Sequence, residues 1–442
     1  MEKIAAPRGT ADIVPPESAR WSALETTMRE TAGRFGYGEI RTPIFESTDL
    51  FVRGVGETTD IVEKEMYSFA DKGDRNLTLR PEWTAPVVRA ALERGLLGTG
   101  AGAQRLFYIG PIFRYERPQA GRYRQAHQFG VECFGFAEPE ADVEVIALAC
   151  DLLRGHGIGD AVVRVNTIGD VESRAAYRER LLAHFRPHAA SLSEDSQRRL
   201  ERNPLRLLDS KAPEDRALVA AAPRFAASLN DGSRAHFARV RAGLDRLEIA
   251  YTLDEGLVRG LDYYTHTVFE ITSARLGAQS AVCGGGRYDG LVASLGGAPT
   301  PAVGFGLGIE RFLMMLASAA PPAPRALDGF AAIGLDLAAR EALLPVAEHL
   351  RRAGRRVVMD YDEPKLLAHF KRADRRGLRA ALVAAPADLA RGVVTMRDLP
   401  RRVQDELPFD PAEPAALARA AIAAYDALPQ DLAGLHEDRE SA

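Results

Sequence analysis

The sequence predicts an α+β protein of two domains, the first built on an antiparallel sheet. Two long β-type segments flank one short arginine-rich turn at 114–125, which is the pattern of an antiparallel hairpin. A mostly helical run at 171–250 interrupts the β-type segments of this first domain. After an Ala- and Pro-rich linker at 317–327, strand and helix patterns alternate, which predicts a second, smaller α/β domain.

The elements of the first domain follow from the spacing of its apolar residues. Residues 17–36 have helical periodicity, and another helix is predicted at about 139–154. The hairpin strands lie in LFYIGPIFRYE and RQAHQFGVECF. Proline cannot donate a ladder hydrogen bond, so we expect the first of these strands to be irregular near Pro111. Later β-type segments are YYTHTVFEI, a Gly-rich stretch, and AVGFGLG, which leads into a helix.

In the second domain the strand patterns alternate with helices, which favours a mainly parallel or mixed sheet. Strand patterns occur in GFAAIGLDL, RRVVMDY, RAALVAA and VVTMRDL, and helical patterns in AAREALLPVAEHLRRAG, KLLAHFKRADRRG and PAALARAAIAAYDAL. We therefore expect a first domain over 1–325 that contains the helical insertion 171–250, a second domain over 326–428, and a polar tail over 429–442.

Composition limits the class of protein. The chain is 46% hydrophobic and 27% charged with a net charge of -4, which is ordinary for a soluble globular protein. The most apolar stretch is broken by Glu310 and Arg311, and the first residues lack a long apolar run, so neither a membrane span nor a signal peptide is expected. Three cysteines without CxxC spacing argue against a zinc site and indicate a reducing cytoplasm.

One stretch is locally basic although the chain as a whole is acidic. Residues 351–379 contain ten Lys or Arg against four Asp or Glu, a local charge of +6. This charge is compatible with a phosphate backbone as partner, and also with a solvated, arginine-rich helix face. Charge alone leaves both interpretations open and favours the solvated face.

The arginine-rich turn indicates an anionic ligand. Side chains alternate across a strand, so Gln128, Gly130 and Glu132 share one face of the second hairpin strand. A face of this kind is either the floor of a ligand site or the wet side of an ordinary hairpin. The four arginines of RYERPQAGRYRQ favour the ligand site, because like charges crowded in one turn repel without an anion.

Two further segments repeat this chemistry. LVRGLDYYTHTVFE places Arg259 and Asp262 beside two tyrosines, and AVGFGLGIERF has alternate glycines before Glu310 and Arg311 at a helix start. Alternate glycines let a ligand approach a strand, and a helix N-terminus favours anions. Neither segment, nor the Gly-rich CGGGRYDGL, matches a GxGxxG or P-loop pattern, so a Rossmann or Walker-type site is not predicted.

These segments together resemble one enzyme family. FRYERPQAGRYRQAHQFGVECFG, GFGLGIERFLMML and FGYGEIRTPIFE resemble motifs 2, 3 and 1 of class II aminoacyl-tRNA synthetases. LVRGLDYYTHTVFE and CGGGRYDGL resemble the two histidine signatures of the histidyl-tRNA synthetase family, and LTLRPEWTAP fits the same family. The resemblance covers residues 4–425 and implies a class II catalytic domain, a helical insertion and a C-terminal anticodon-binding α/β domain.

The resemblance implies that the chain activates L-histidine with ATP and transfers it to histidine tRNA. Arg114 would hold the α-phosphate, Arg311 the γ-phosphate and adenine, and Arg259 the other side of the reacting groups. Glu116 and Arg122 would help to place the nucleotide. Mg²⁺ would bridge the ATP phosphates, and neither a protein-bound metal nor a prosthetic group is expected.

The resemblance also implies residues for the amino acid and for the tRNA. The α-amino and carboxylate groups of histidine would be held by Glu82, Thr84 and Gln128, and its ring would be read by Glu132 and Tyr264, with Tyr263 and Arg259 completing the site. The tRNA acceptor end would meet Arg117 and Gln119. A homodimer would form through motif 1 around Pro43.

One departure and two alternatives accompany this interpretation. Trp83 stands where the family has a small residue, so its ring either faces away from histidine or narrows the pocket. One alternative function is that of a related regulatory subunit of ATP phosphoribosyltransferase, which senses histidine without charging tRNA; the other is a catalytically inactive RNA-binding module. The C-terminal domain pattern and the presence of Arg114, Arg259 and Arg311 favour the synthetase over both.

Overall fold

The structure is a computed structural model, and the residues it describes are 4–57, 59–98, 100, 102–117, 119, 121–210, 212–257, 261–319, 327–362 and 365–429. Three parts of the sequence interpretation lie outside them: Arg259, the linker residues 320–326, and the tail from 430 onward. The chain divides into two compact units, Met1–Pro321 and Pro322–Ala442.

The first unit contains, in chain order, α1 (Glu17–Arg34), β1 (Gly38–Glu39), β2 (Phe45–Ser47), α2 (Thr48–Val55), β3 (Tyr67–Ala70), β4 (Asn76–Leu79), α3 (Thr84–Glu93), β5 (Gln104–Phe113), β6 (Gln125–Phe134), α4 (Pro139–Gly155), β7 (Val162–Thr167), α5 (Val171–Phe185), α6 (Glu194–Arg202), α7 (Arg216–Ala220), α8 (Asp231–Arg246), β8 (Tyr251–Leu253), β9 (Thr265–Thr272), β10 (Ala281–Arg287), α9 (Leu291–Ser294), β11 (Ala302–Gly308) and α10 (Ile309–Ala319).

The second unit continues with β12 (Phe330–Gly334), α11 (Leu337–Arg352), β13 (Val357–Met359), α12 (Leu366–Arg375), β14 (Ala380–Ala384), α13 (Pro386–Ala390), β15 (Val393–Asp398), β16 (Val403–Pro408) and α14 (Pro414–Asp426). Its sheet has the order β13-β12-β14-β15-β16. The pairings of β12 are parallel, and those of β15 are antiparallel. The sheet is therefore mixed.

The large sheet of the first unit is mainly antiparallel, as predicted. Within the described residues its strand order is β1-β5-β6-β11-β10-β9-β7-β8. The short edge pairs β1–β5 and β7–β8 are parallel, and the inner pairs are antiparallel. A second sheet, β2-β4-β3, is antiparallel. The α+β fold prediction is confirmed.

The predicted irregularity at Pro111 is wrong. Strand β5 pairs with β6 without a register shift, from Gln104 opposite Phe134 to Phe113 opposite Gln125. The Pro111 carbonyl accepts a hydrogen bond from Arg80 Nε at 2.8 Å, so it points away from β6. The N and C=O of one residue point to the same side of an antiparallel strand, so the missing N–H of proline leaves the β6 ladder intact.

The two faces of the hairpin serve different purposes. Phe129, Val131 and Cys133 alternate along β6 and are buried in the main core, where α1, α4 and α8 pack. The opposite face of β6 carries Gln128 and Glu132. This second face forms the floor of the pocket described below.

The predicted helical insertion contains α5–α8 and has a small core of its own. Its buried apolar residues are Tyr177, Leu181, Leu182, Phe185, Leu192, Leu200, Leu207, Phe225 and Leu229. The buried Asp215 carboxylate accepts hydrogen bonds from the hydroxyls of Ser193, Ser196 and Ser210. Through these hydrogen bonds, the carboxylate stabilises the loops between the short helices.

Candidate active site

A pocket on the large sheet brings together most of the residues singled out from the sequence. Its walls are the β5–β6 hairpin, the strands β10 and β11, the start of α10, and the segments 82–84 and 261–264. The predicted residues that line it are Glu82, Thr84, Arg114, Glu116, Arg122, Gln128, Tyr263, Tyr264 and Arg311. Arg117 and Gln119 lie in the hairpin loop and are exposed.

One end of the pocket is lined by three arginines. Arg114 Nε donates to the Pro81 carbonyl at 2.8 Å. Arg311 donates from Nε to the Gly121 carbonyl at 2.9 Å and from a terminal nitrogen to the Ala281 carbonyl at 2.7 Å. These backbone acceptors hold both guanidinium groups without neutralising them.

Glu116 is the carboxylate among these arginines. Its Oε2 lies 3.3 Å from Arg122 Nε, and its Oε1 lies 4.0 Å from an Arg114 terminal nitrogen. Burial lowers the pKa of the Arg311 guanidinium, and the neighbouring positive charge of Arg122 lowers it further. Glu116 pairs with Arg114 and Arg122, and the nearby Arg311 adds a third positive charge, so this end of the pocket is suited to an anion such as a phosphate chain.

The other end of the pocket is built on a buried carboxylate, Glu132. Thr84 Oγ1 donates to it at 2.8 Å, Tyr108 OH donates at 3.2 Å, and Tyr288 OH also donates. Glu132 is 1% exposed, and burial raises its pKa to about 8. It therefore lies directly beneath the pocket surface, and its hydroxyl partners line the pocket.

The glycines of these strands make room for this cluster. A Cβ at Gly304 would lie 2.0 Å from Glu132 Oε2, and a Cβ at Gly130 would lie 2.2 Å from Tyr108 OH. We expected such glycines to leave space for a ligand. At these two positions the space is filled by Glu132 and Tyr108, whose side chains need the missing Cβ atoms.

Tyrosines surround the same end. Tyr263 packs on Tyr264 with ring centroids 4.8 Å apart and on Tyr288 at 5.5 Å. Burial raises the pKa of Tyr108, Tyr263 and Tyr288 well above the usual phenol value, so their hydroxyls stay protonated and can donate. Phenol groups beside a carboxylate can fix the protonation state of a ring nitrogen.

Glu82 accepts hydrogen bonds from the backbone at the start of helix α3. Its carboxylate accepts from the backbone N–H of Thr84 at 2.7 Å and of Ala85 at 2.8 Å. These are first-turn N–H groups of α3, which have no partner within the helix. Glu82 thus fixes the start of α3 and still lines the pocket.

Sequence reasoning gave no role to three residues that organise this site. Tyr108 and Tyr288 donate to Glu132, and Glu310 accepts from the backbone N–H of His127 at 2.9 and 3.0 Å and pairs with its Nδ1 at 2.9 Å. Strand alternation places Tyr108 on the face of Arg114, and CGGGRYDGL contains Tyr288. Those signals were present, but pairing each residue with its partner requires the order of the strands.

The unusual Trp83 lies in a stack. Its ring is parallel to Tyr108 at 4.6 Å with an interplanar angle of 10°, and the Arg80 guanidinium covers its ring at 3.4 Å. Its indole N–H donates to the Gly110 carbonyl at 3.4 Å. Arg80 also donates to the Pro43 carbonyl at 3.1 Å. Trp83 therefore supports the wall formed by Tyr108 and is 2% exposed.

The basic stretch 351–379 is partly neutralised within the second unit. Arg372 pairs with Asp362 at 2.6 Å and Arg376 with Asp360 at 2.8 Å. Other pairs are Arg355–Asp426 and Arg379–Asp398. Asp360 and Asp362 are already included in the +6, whereas Asp426 and Asp398 lie outside the stretch and offset two more of its arginines.

The buried Glu132 predicts a pH dependence of stability. Its folded pKa of about 8 lies above the ordinary value of 4.5, so the folded state binds this proton more tightly. The resulting stability is fully present below pH 4.5 and is lost as pH rises through about 8. We expect Glu132→Gln to gain stability relative to the wild type across that window, measured by thermal unfolding at its two ends. Parallel pH profiles for both proteins would contradict the assignment.

Two negative findings concern the described ranges. Among the described residues, no group of three or more His, Cys, Asp or Glu side chains is placed to hold a metal ion. Within the same ranges, none of the helices has the length and hydropathy that a membrane span requires.

Comparison with known proteins gives consistent matches for both units. A family model described as histidyl-tRNA synthetase matches residues 9–312, and one described as anticodon binding domain matches residues 332–418. The histidine–tRNA ligase of Synechococcus elongatus is 51% identical over 92% of this chain and 93% of its own length. That of Moorella thermoacetica is 51% identical over 91% of this chain and 95% of its own.

A solved structure matches as well. Apo histidyl-tRNA synthetase from S. aureus superposes with a TM-score of 0.78 at 36% identity, and covers 92% of this chain and 97% of its own. Both the sequence matches and this structural match extend across the two compact units.

Proposed function

The chain belongs to the histidyl-tRNA synthetase family, and we propose that the pocket on its large sheet is where this ATP-dependent histidine–tRNA ligase forms histidyl-adenylate and passes histidine to tRNA. The observation that carries this assignment is the pairing of an arginine-lined end with a buried carboxylate and tyrosine end in one pocket. A triphosphate suits the first end, and an imidazole ring suits the second.

In the first step the histidine carboxylate attacks the α-phosphate of ATP, forming a new P–O bond as pyrophosphate leaves. Arg114 is assigned to the α-phosphate and Arg311 to the γ-phosphate and adenine, and both guanidinium groups are held by backbone carbonyls. Fixed cations stabilise charge that develops at phosphorus without having to reorganise. Mg²⁺ would enter with ATP as part of the substrate and would offset part of the negative charge of its phosphates.

The remaining nucleotide residues are assigned by resemblance and supported by position. Glu116 and Arg122 lie on the same wall as Arg114, and we assign them to placing the nucleotide. Arg259, which is outside the described residues, is assigned to the α-phosphate and the histidine carboxylate. In the second step the terminal ribose hydroxyl of tRNA attacks the adenylate carbonyl, and AMP leaves.

Histidine is assigned to the tyrosine end. Glu132 and Tyr264 would read the ring, with Tyr263 beside them, and Glu82, Thr84 and Gln128 would hold the amino and carboxylate groups. The structure adds a constraint to this proposal: Glu132 acts through hydroxyls that already donate to it, or exchanges one of them for a ring nitrogen. A buried polar site of this kind rejects analogues that lack a ring nitrogen by a factor on the order of 10⁴.

The partners are assigned to other surfaces. The exposed loop residues Arg117 and Gln119 are proposed to meet the tRNA acceptor end, and the domain 326–428 the anticodon end. We propose a homodimer through motif 1 around Pro43, because Phe45 and Phe69 on the small β2-β4-β3 sheet are 52% and 45% exposed. The domain limits 1–325 and 429–442 and a cytoplasmic location remain parts of this proposal.

One assay series tests the function. Histidine-dependent exchange of labelled pyrophosphate into ATP, followed by charging of histidine tRNA, is expected for the ligase. A regulatory paralogue would bind histidine without either reaction, and an inactive RNA-binding module would bind tRNA alone. Absence of exchange in a folded preparation that binds histidine would overturn the proposed function.

Glu132→Ala is expected to weaken histidine binding by about 10- to 100-fold, because lost pairing in a buried site costs about 1–3 kcal/mol. ATP binding should change much less, since the arginines lie at the other end of the pocket. Calorimetric titration with each ligand measures both. Tyr108→Phe removes one donor to Glu132 and keeps the ring stack, so it serves as a milder reference. Equal losses for histidine and ATP would contradict the assignment.

A further inference from the structure

The segment 261–264, which carries two pocket tyrosines, is held from outside by the helical insertion. Arg174, in the first turns of α5, donates to the Tyr264 carbonyl at 2.8 Å. Both of its terminal nitrogens also lie 3.3 Å from the Asp262 carbonyl, to which they donate. One guanidinium fork therefore holds two carbonyls on alternate residues of the segment.

The contact is partly buried, and it joins a charged donor to two backbone carbonyls. Burial lowers the pKa of Arg174, and the Asp262 charge opposes this shift. A charged donor to a buried carbonyl makes a stronger hydrogen bond than a neutral donor. The guanidinium is planar and rigid, so two carbonyls bound to it cannot move independently.

The same insertion holds Asp262 by a second contact. Asn203 Nδ2, which follows α6, donates to Asp262 Oδ1 at 3.2 Å. On the opposite side, the Asp262 N–H donates to the Val55 carbonyl at 3.2 Å. A Cβ at Gly56 would lie 2.7 Å from Asp262 Oδ2, so the backbone there approaches the side chain closely.

The backbone that leads into helix α5, which carries Arg174, is itself hydrogen-bonded to the residues at the start of strand β9. The Ile168 N–H donates to the His266 carbonyl at 2.8 Å, and the His266 N–H donates to the Gly169 carbonyl at 2.7 Å. Asp170 then caps α5 by accepting from the Ser173 N–H at 2.8 Å. These short hydrogen bonds fix the start of α5, and with it Arg174, relative to strand β9.

We propose that Arg174 is a positioning residue for amino-acid recognition, by which the helical insertion holds the Tyr263–Tyr264 backbone so that these rings face the histidine end of the pocket. The proposal rests on the assignment of that end to histidine. Arg174 acts on the segment 261–264, whereas Arg114, Arg122 and Arg311, which are assigned to ATP, lie on the β5–β6 hairpin and α10. Arg259, outside the described residues, is assigned to both substrates. The loss of Arg174 should therefore affect histidine more than ATP.

The test compares Arg174→Ala, Arg174→Lys and Arg178→Ala in the full chain. Arg178 lies one turn further along α5 and donates to the Glu201 carbonyl, so it is a matched insertion arginine without a contact to the tyrosine segment. Histidine affinity is measured by calorimetry, the KM for histidine and for ATP by pyrophosphate exchange, and the folded state by thermal unfolding. Tyr264→Phe is measured in parallel.

Arg174→Ala is expected to raise the dissociation constant and KM for histidine about 10-fold or more, the scale of one charged hydrogen bond, with the KM for ATP within about twofold. Arg174→Lys should restore part of the loss, and Arg178→Ala should match the wild type. Unchanged histidine affinity, equal losses for both substrates, or a lower melting temperature alone would overturn the inference.

The Tyr264→Phe variant distinguishes failure of the positioning role from failure of the proposed function. If Tyr264→Phe weakens histidine and Arg174→Ala does not, only the positioning role is wrong. If the wild type neither binds histidine nor exchanges pyrophosphate, the proposed function fails and the positioning role fails with it.

Discussion

Arg114→Ala is expected to slow histidyl-adenylate formation by about 10²–10³-fold, the usual effect of removing one fixed donor to developing charge. Arg114 lines the anion end of the pocket and is oriented by the Pro81 carbonyl. That bond uses Nε, so lysine, which has no donor at this position and no planar fork, should not restore the rate. The predicted loss is in the chemical step, with a smaller change in histidine affinity.

Pre-steady-state formation of adenylate measures this step directly. Arg105→Ala is the matched control, because Arg105 lies on strand β5, which ends directly before Arg114, and pairs with Glu144 at 3.1 Å, away from the pocket lining. It should form adenylate at a rate close to that of the wild type. A folded Arg114→Ala protein with wild-type adenylate formation would rule out the assigned role.

The fold could be predicted from the sequence wherever it depends on a local pattern of apolar and polar residues. The alternation in β5 and β6 predicted both hairpin faces, because a two-residue period needs no knowledge of neighbours. Pro111 shows the limit of this approach. Whether a proline disturbs a ladder depends on which way its backbone points, and that direction is set by the partner strand.

The charged residues of the site could be predicted from the sequence, but most of the residues that hold them in place could not. Arginines in one turn are visible in any single sequence. The hydroxyls of Tyr108 and Tyr288 meet at Glu132 only because β10, β11, β6 and β5 are adjacent in the sheet, which is a property of the complete fold. The same applies to Trp83, whose orientation is fixed by Tyr108 on β5 and Arg80 before α3.

The second large effect concerns a buried ion pair behind this site. Arg287 on β10 and Asp142 on α4 are both 0% exposed, and two Arg287 nitrogens donate to the Asp142 carboxylate. Burial works to raise the pKa of Asp142, but hydrogen bonding from His236 and the Arg287 charge hold it below its usual range. The pair therefore stays ionised at neutral pH.

Asp142→Ala is expected to destabilise the first unit by about 3–5 kcal/mol, because it leaves an arginine charge buried without its carboxylate. Arg287 would keep the Phe136 and Glu138 carbonyls and the Asp289 carboxylate, at 2.9, 3.2 and 3.2 Å, so some of the charge stays compensated and the lower half of that range is the better expectation. The measurement is the shift of the first-unit unfolding transition in calorimetry or denaturant, since two compact units need not unfold together.

The matched control is Asp151→Ala on the same helix α4. Asp151 pairs with Arg154 at 3.6 Å, and both side chains are about half exposed, so its loss should change stability by less than about 1 kcal/mol. A loss of stability at Asp142 no larger than at Asp151 would show that the remaining acceptors suffice for Arg287.

A larger loss of stability at Asp142 would also affect histidine binding. Arg287 is followed in the chain by Tyr288, a donor to Glu132, so a displaced Arg287 should also weaken histidine binding in the protein that remains folded.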